Sequence, residues 1–135
     1  RAYASADDNW SEFVLEEEDV FDGTLESEVY ADINTIVLEN GDVWAIVMNQ
    51  GEGSMPPLGR QGRIHAYVST DGGDSFEYFG HLFSYDTVSE FEVQSLNDPK
   101  IVEHSDGTLR IYVAAMVPDE ENEDEYKWIM LSASY

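Results

Sequence analysis

The stretch DINTIVLENGDVWAIV, residues 32–47, aligns with DPKIVEHSDGTLRIYV, residues 98–113, at an offset of 66. Asp32 falls on Asp98, Ile36 on Val102, Gly41 on Gly107 and Val43 on Leu109. Two further registers agree: AYASADD at 2–8 lies over AYVSTDG at 66–72, and AYVS at 66–69 over LSAS at 131–134. A repeat near 65 residues constrains the fold more than any other feature here. Each unit must present faces that a neighbouring unit can cover.

Strand patterns fill the units. Runs such as Val43-Trp44-Ala45-Ile46-Val47-Met48, Ile64-His65-Ala66-Tyr67-Val68 and Leu109-Arg110-Ile111-Tyr112-Val113 are rich in β-branched and aromatic residues. Asn40-Gly41 and Asp106-Gly107, each between apolar residues, are hairpin signals. The one helix-like piece, 15–20, is short and acidic. The reading is therefore all-β. Each unit is expected to be a four-stranded antiparallel meander, with strands near 32–38, 42–48, 63–69 and 76–80 in the complete copy.

Composition excludes several classes. A hydrophobic share of 42% is enough to build a core, which rules out a disordered chain. No apolar run is long enough for a membrane-spanning helix. Cysteine is absent, so neither disulfides nor thiolate metal sites can form. With 29 Asp+Glu against 6 Lys+Arg the net charge is −23, which argues against nucleic acid as a partner. Such self-repulsion suits a saline setting, where counterions screen it.

Ser69-x-Asp71-x-Gly73-x-Ser75-Phe76 carries a more specific pattern. It resembles the Asp box, Ser-x-Asp-x-Gly-x-Thr-Trp, of the bacterial neuraminidase repeat in sialidase-like β-propellers. In that family the box turns the chain between the third and fourth strands of a blade, which is where the strand reading puts it. Ser5-Ala6-Asp7-Asp8-Asn9-Trp10 is similar to a degraded copy. The resemblance implies that Ser69, Asp71, Gly73 and Phe76, with Ser5, Asp7 and Trp10, are structural. A short Asp accepts backbone N–H groups across the turn, Gly supplies a positive φ, and the aromatic packs beneath. A calcium loop of the EF-hand type would need a longer series of oxygen ligands.

The expected fold is thus a segment of a sialidase-like propeller of six-bladed type, about two antiparallel blades. Residues 1–15 are the last strands of a preceding blade, 16–31 a connector, 32–83 a complete blade, and 84–135 a following blade lacking its last strand. Propellers close with four blades or more. The expected partners are accordingly further blades, from a longer parent chain or from copies of this one.

In propellers of this kind the first strands line the axis, and sites collect at one end of it. That implies Asp32 and Asp98 as candidate catalytic carboxylates, able to act on a glycosidic bond; backbone capping is the alternative for both. NDPKIVEHSDGTLRIY also resembles the inner strand of five-bladed glycosidases. Tyr30, Asn97, Arg60 and Arg63 are candidate substrate-binding residues. The sialidase arginine triad and its Arg-Ile-Pro motif are not present; GRIHAY at 62–67 only echoes the latter. No metal ligand set is expected from the three scattered histidines, although the acidic run Asp119–Glu125 is a candidate for weak Ca2+ binding as well as a solvated hairpin tip. The expected function is that of a glycan-related, secreted or cell-surface propeller of sialidase or glycoside-hydrolase type, with any hydrolysis carried by axial carboxylates of the complete ring and not by this chain alone. The alternatives are a non-catalytic carbohydrate-binding or self-assembling propeller module, as the subunit of a ring or filament, and a purely structural propeller with no glycan link.

Overall fold

The computed structural model describes residues 2–3, 7, 14–15, 30–49, 63–83 and 87–135. The architecture is all-β, and no α-helix occurs among the described residues. None of their helices is long and apolar enough to cross a membrane. Strand β1 (Ala2–Tyr3) pairs with β2 (Val14–Leu15). A four-stranded antiparallel meander follows, β3 (Tyr30–Val37), β4 (Val43–Asn49), β5 (Arg63–Ser69) and β6 (Glu77–Phe83). The third sheet is β7 (Ser95–Glu103), β8 (Leu109–Asp119) and β9 (Asn122–Ser134), again in sequential order. Of the helix-like piece, Leu15 is in β2 and 16–20 lie outside the described residues.

The two larger sheets are copies of each other at the level of single hydrogen bonds. Ile36 faces Trp44 and Trp44 faces Val68; likewise Val102 faces Arg110 and Arg110 faces Ser134, a shift of 66 at each position. The hairpin turns repeat as well. Leu38 N–H donates to Asp42 O (2.8 Å) and Gly41 N–H to Leu38 O (2.9 Å), as His104 donates to Thr108 (2.9 Å) and Gly107 to His104 (2.8 Å). Gly41 and Gly107 hold φ of 92° and 82°, conformations that a β-carbon resists. The Asn40 and Asp106 side chains accept from the N–H two residues on, at 3.0 Å in both.

One alignment needs correction. The likeness of AYVS to LSAS sets Ala66 over Leu131, but the ladders set Ala66 over Ser132 and His65 over Leu131. Because side chains alternate between faces, that one-residue difference moves Leu131 onto the buried face. Small residues such as Ala and Ser are weak markers of register, since they fit either face.

The sheets pack face to face. Ile46, Met48, Ile64 and Ala66 of the four-stranded sheet join Leu96, Ile101, Ile111, Val113 and Leu131 in one cluster. Strand β8 shows why: Leu109, Ile111, Val113, Ala115 and Val117 are buried in strict alternation with half-exposed neighbours. First strands lie against each other, and Ile101 N–H donates to Asn34 Oδ1 at 2.9 Å across them. The Tyr135 hydroxyl donates to Leu82 O, tying the last residue to β6. On the opposite face of the four-stranded sheet, Ala45, Val47 and Tyr67 are also fully buried and pack with Phe76. That sheet is therefore covered on both sides, which explains the five successive buried residues ending β4.

The β1–β2 pair echoes the β5–β6 hairpin. Tyr3 lies across from Val14 as Tyr67 lies across from Tyr78, the same separation along the chain.

Candidate functional site

Ser69 ends β5 and is buried, and its hydroxyl organises the turn that follows. Ser69 Oγ accepts from Gly73 N–H (2.8 Å) and Asp71 N–H (3.3 Å) and donates to Asp71 Oδ1 (2.6 Å). Asp71 in turn accepts from Ser75 N–H (3.0 Å) and Ser75 Oγ (2.6 Å). These donors, Ser69 first, hold the Asp71 carboxyl well below the usual carboxylate range. Gly73 has φ of 96°, and Phe76 drops into the core beside Tyr67. The carboxylate is thus spent on closing the turn. Replacing Ser69 by Ala is expected to lower stability by about 1 kcal/mol, near the low end for a lost buried acceptor because Gly73 is part-exposed and water can replace the bond. Urea titration of the variant checks this. For the degraded copy, Ser5 and Trp10 lie outside the described residues, and Asp7 is exposed.

Asp32 and Asp98 occupy one structural position in the two sheets. Each sits in a bulge of its first strand, where pairing skips from Ala31 to Asn34 and from Asn97 to Lys100. Both have φ of 51°, in the left-handed region that Asp tolerates better than most residues. Both are exposed. The bulge also accommodates Pro99, which has no N–H to give a ladder.

The other expected binding residues are distributed differently. Tyr30 opens β3 across from Asn49, and Asn49 lies across from Arg63, so one row of the sheet spans all three. Arg63 is exposed. Asn97 is half-buried and donates through Nδ2 to Ser95 Oγ at 2.9 Å. Arg60 and the loop 50–60 lie outside the described residues. The acidic run forms the β8–β9 hairpin tip, where Lys127 Nζ meets Asp119 Oδ1 at 3.5 Å and Glu121 N–H bonds Asp119 Oδ1 at 3.2 Å. Among the described residues no group of three or more His, Asp or Glu is placed to hold a metal ion. One hollow of about 360 Å³ lies between Phe91, Pro118 and Lys127, and another of about 140 Å³ beside the turn at Thr70, Ser75 and Tyr78. Neither is lined by Asp32 or Asp98.

A polar cluster that the sequence did not reveal lies on the buried outer face of β4–β6. His65 is buried, with Nδ1 3.1 Å from the Tyr78 hydroxyl and Nε2 3.5 Å from Asn49 Nδ2. The His81 ring meets it edge-on at 4.3 Å, and Tyr67 and Tyr78 stand at 5.3 Å in an edge-to-face arrangement. Burial first, then the charges of His81 and Arg63, pull the His65 pKa down to about 4. Periodicity alone cannot put His65 opposite His81, because two register shifts in β5–β6 intervene.

The chain matches no known protein-family model and no curated protein.

Proposed function

We propose that this chain is a segment of a sialidase-like β-propeller of six-bladed type that acts on glycans, with Asp32 and Asp98 as the carboxylates that successive blades offer. The observation that carries this is the repeated bulge: an exposed Asp at φ of 51° in the first strand of both sheets. Left-handed conformations of residues other than Gly are sparse and gather at functional positions. The Asp-box turn between the third and fourth strands and the contact of β3 with β7 support the propeller. Net charge of −23 supports a secreted or surface protein of saline surroundings.

A second reading is a non-catalytic carbohydrate-binding module. It is favoured by the distribution of the two carboxylates, one per sheet and neither lining the two hollows described above, as in a protein with one shallow site per repeat.

A panel of aryl glycosides, sialosides included, together with a glycan array separates the readings. Under the first, the complete ring that contains this chain cleaves one of the glycosides, and Asp32→Asn or Asp98→Asn lowers its turnover by about 100-fold or more. Under the second, the parent protein binds glycan without turnover and the same variants weaken binding. No turnover and no glycan bound would sink both.

A further inference from the structure

The turn that leads into the second sheet is anchored at two points and presents what lies between them. Val88 and Val93 are 5% and 2% exposed and belong to the shared core, whereas Phe91 is 41% exposed. The backbone between them closes one turn of 3-10 helix, Ser89–Phe91, with Phe91 N–H on Val88 O (3.1 Å) and Glu92 N–H on Ser89 O (3.2 Å). Gln94 Nε2 donates to Glu92 O at 2.9 Å and fixes the exit. The Phe91 ring is thus held out on a pinned support, at the wall of the hollow of about 360 Å³ that the β8–β9 hairpin closes from the other side. Val117 and Ile129, from the face of the second sheet that meets the first, supply further apolar wall. A hollow of this size, with an aromatic wall and a few polar groups, is the usual form of a small-molecule site.

The polar groups of the hollow leave a negative excess. Glu90, Glu92 and Glu120 line it, and none of the three carboxylates has a hydrogen-bond or ion-pair partner among the described residues. Lys127 lines it too, but its ammonium stands 3.5 Å from Asp119 Oδ1 and is already paired. A guest with a carboxylate would meet like charges here and a chain of net charge −23 around them. A guest with an ammonium would meet the complement of both. The hollow also lies at the end of the sheet that carries Asp98. Asn97, beside Asp98, lies across from Ala114, and Val117 is three residues further along β8, about 10 Å.

We propose that this hollow is a subsite for an amino-sugar unit that keeps its free ammonium, in a glycan whose neighbouring units lie over the Asp98 bulge. This rests on the glycan reading above and gives it a substrate class, cationic and not sialic-acid-like. Phe91 supports the apolar face of the sugar ring, and the three glutamates attract its ammonium.

The test is isothermal titration with short glucosamine oligomers, free-amine and fully N-acetylated at equal length, and with sialyllactose. It is run at mildly acid pH in about 0.15 and about 1 M NaCl. At the lower salt the free-amine oligomer is expected to bind about 10-fold tighter than its acetylated twin, with sialyllactose weakest, and the advantage shrinks at high salt. Glu120→Gln, at an exposed position that leaves folding intact, should weaken the free-amine oligomer about 3-fold and leave the acetylated one unchanged. Phe91→Ala should weaken both about 10-fold. Glu39→Gln removes an exposed carboxylate of the first sheet's hairpin turn and should change neither. Far-UV circular dichroism of each variant should match the parent. An acetylated oligomer bound as tightly as the free amine, a preference for sialyllactose, or equal effects of Glu39→Gln and Glu120→Gln overturns the proposal while the glycan reading stands. Binding of no glycan overturns both, and a lysine-rich peptide bound instead makes the guest of the hollow a protein side chain.

Discussion

Ile111→Ala is expected to lower the stability of the fold by about 2–5 kcal/mol, a large share of the ~5–15 kcal/mol that holds a domain of this size. Ile111 lies in the middle of β8, fully buried, on the face that meets the first sheet. The core cluster it belongs to draws on both sheets, Ile46 and Ile64 from the first and Ile101 and Leu131 from the second. Removing three carbons leaves a void that β-sheets pinned by their ladders cannot close, so a cavity cost adds to the lost transfer energy. Val37→Ala is the internal comparison. Val37 also sits in a strand but is 66% exposed, and its truncation should cost about 0.5 kcal/mol or less. Urea midpoints measured side by side decide the matter. Equal losses at the two positions would mean that the sheets do not share a core.

Much of this architecture was legible because its determinants are local. Asn40-Gly41 and Asp106-Gly107 announce tight turns by supplying a residue that accepts positive φ, and both turns form with matching bonds. The Ser69-x-Asp71-x-Gly73-x-Ser75 spacing announces its turn for the same reason, as Ser69, Asp71 and Ser75 satisfy one another within seven residues. What depends on distant partners was not legible. The β8–β9 hairpin runs on through the acidic run, since Asp124 and Glu125 can stand exposed while their backbone continues the strand. Asp32 and Asp98 could be read as carboxylates at a shared position, but not as bulge residues, because a bulge is a mismatch between two strands. The pairing of His65 with His81 and the hollow beside Phe91 likewise appear only once the register is fixed. Sequence repeats fix which elements recur; ladders fix which way each side chain points.

The His65 cluster makes stability fall as pH falls, the same sign as the hydrogen-bonded Asp71 carboxylate and opposite to the relief of charge repulsion on acidification. In the unfolded chain His65 takes up its proton near pH 6.5; in the folded chain it does so only near pH 4. Between those values the unfolded state binds more protons, so stability falls as pH falls. Above pH 6.5 both states are neutral at this residue and nothing is lost; below pH 4 the loss is complete. Unscreened, the depression corresponds to about 3 kcal/mol. His81 and Arg63 are exposed, so solvent screens part of their repulsion and about 2 kcal/mol is the expected loss. Relief of self-repulsion in a chain of net charge −23 acts oppositely on acidification, which would hide the effect in the parent protein alone. His65→Gln removes it from view, because the amide can still meet Tyr78 and Asn49 but cannot take a proton. Chemical denaturation of both proteins at pH 7.5 and about pH 4.5 gives the contrast. The parent protein should lose about 2 kcal/mol relative to the variant over that interval. Parallel curves would mean that His65 is already solvated when folded, and that its ring does not sit sealed between Asn49 and Tyr78.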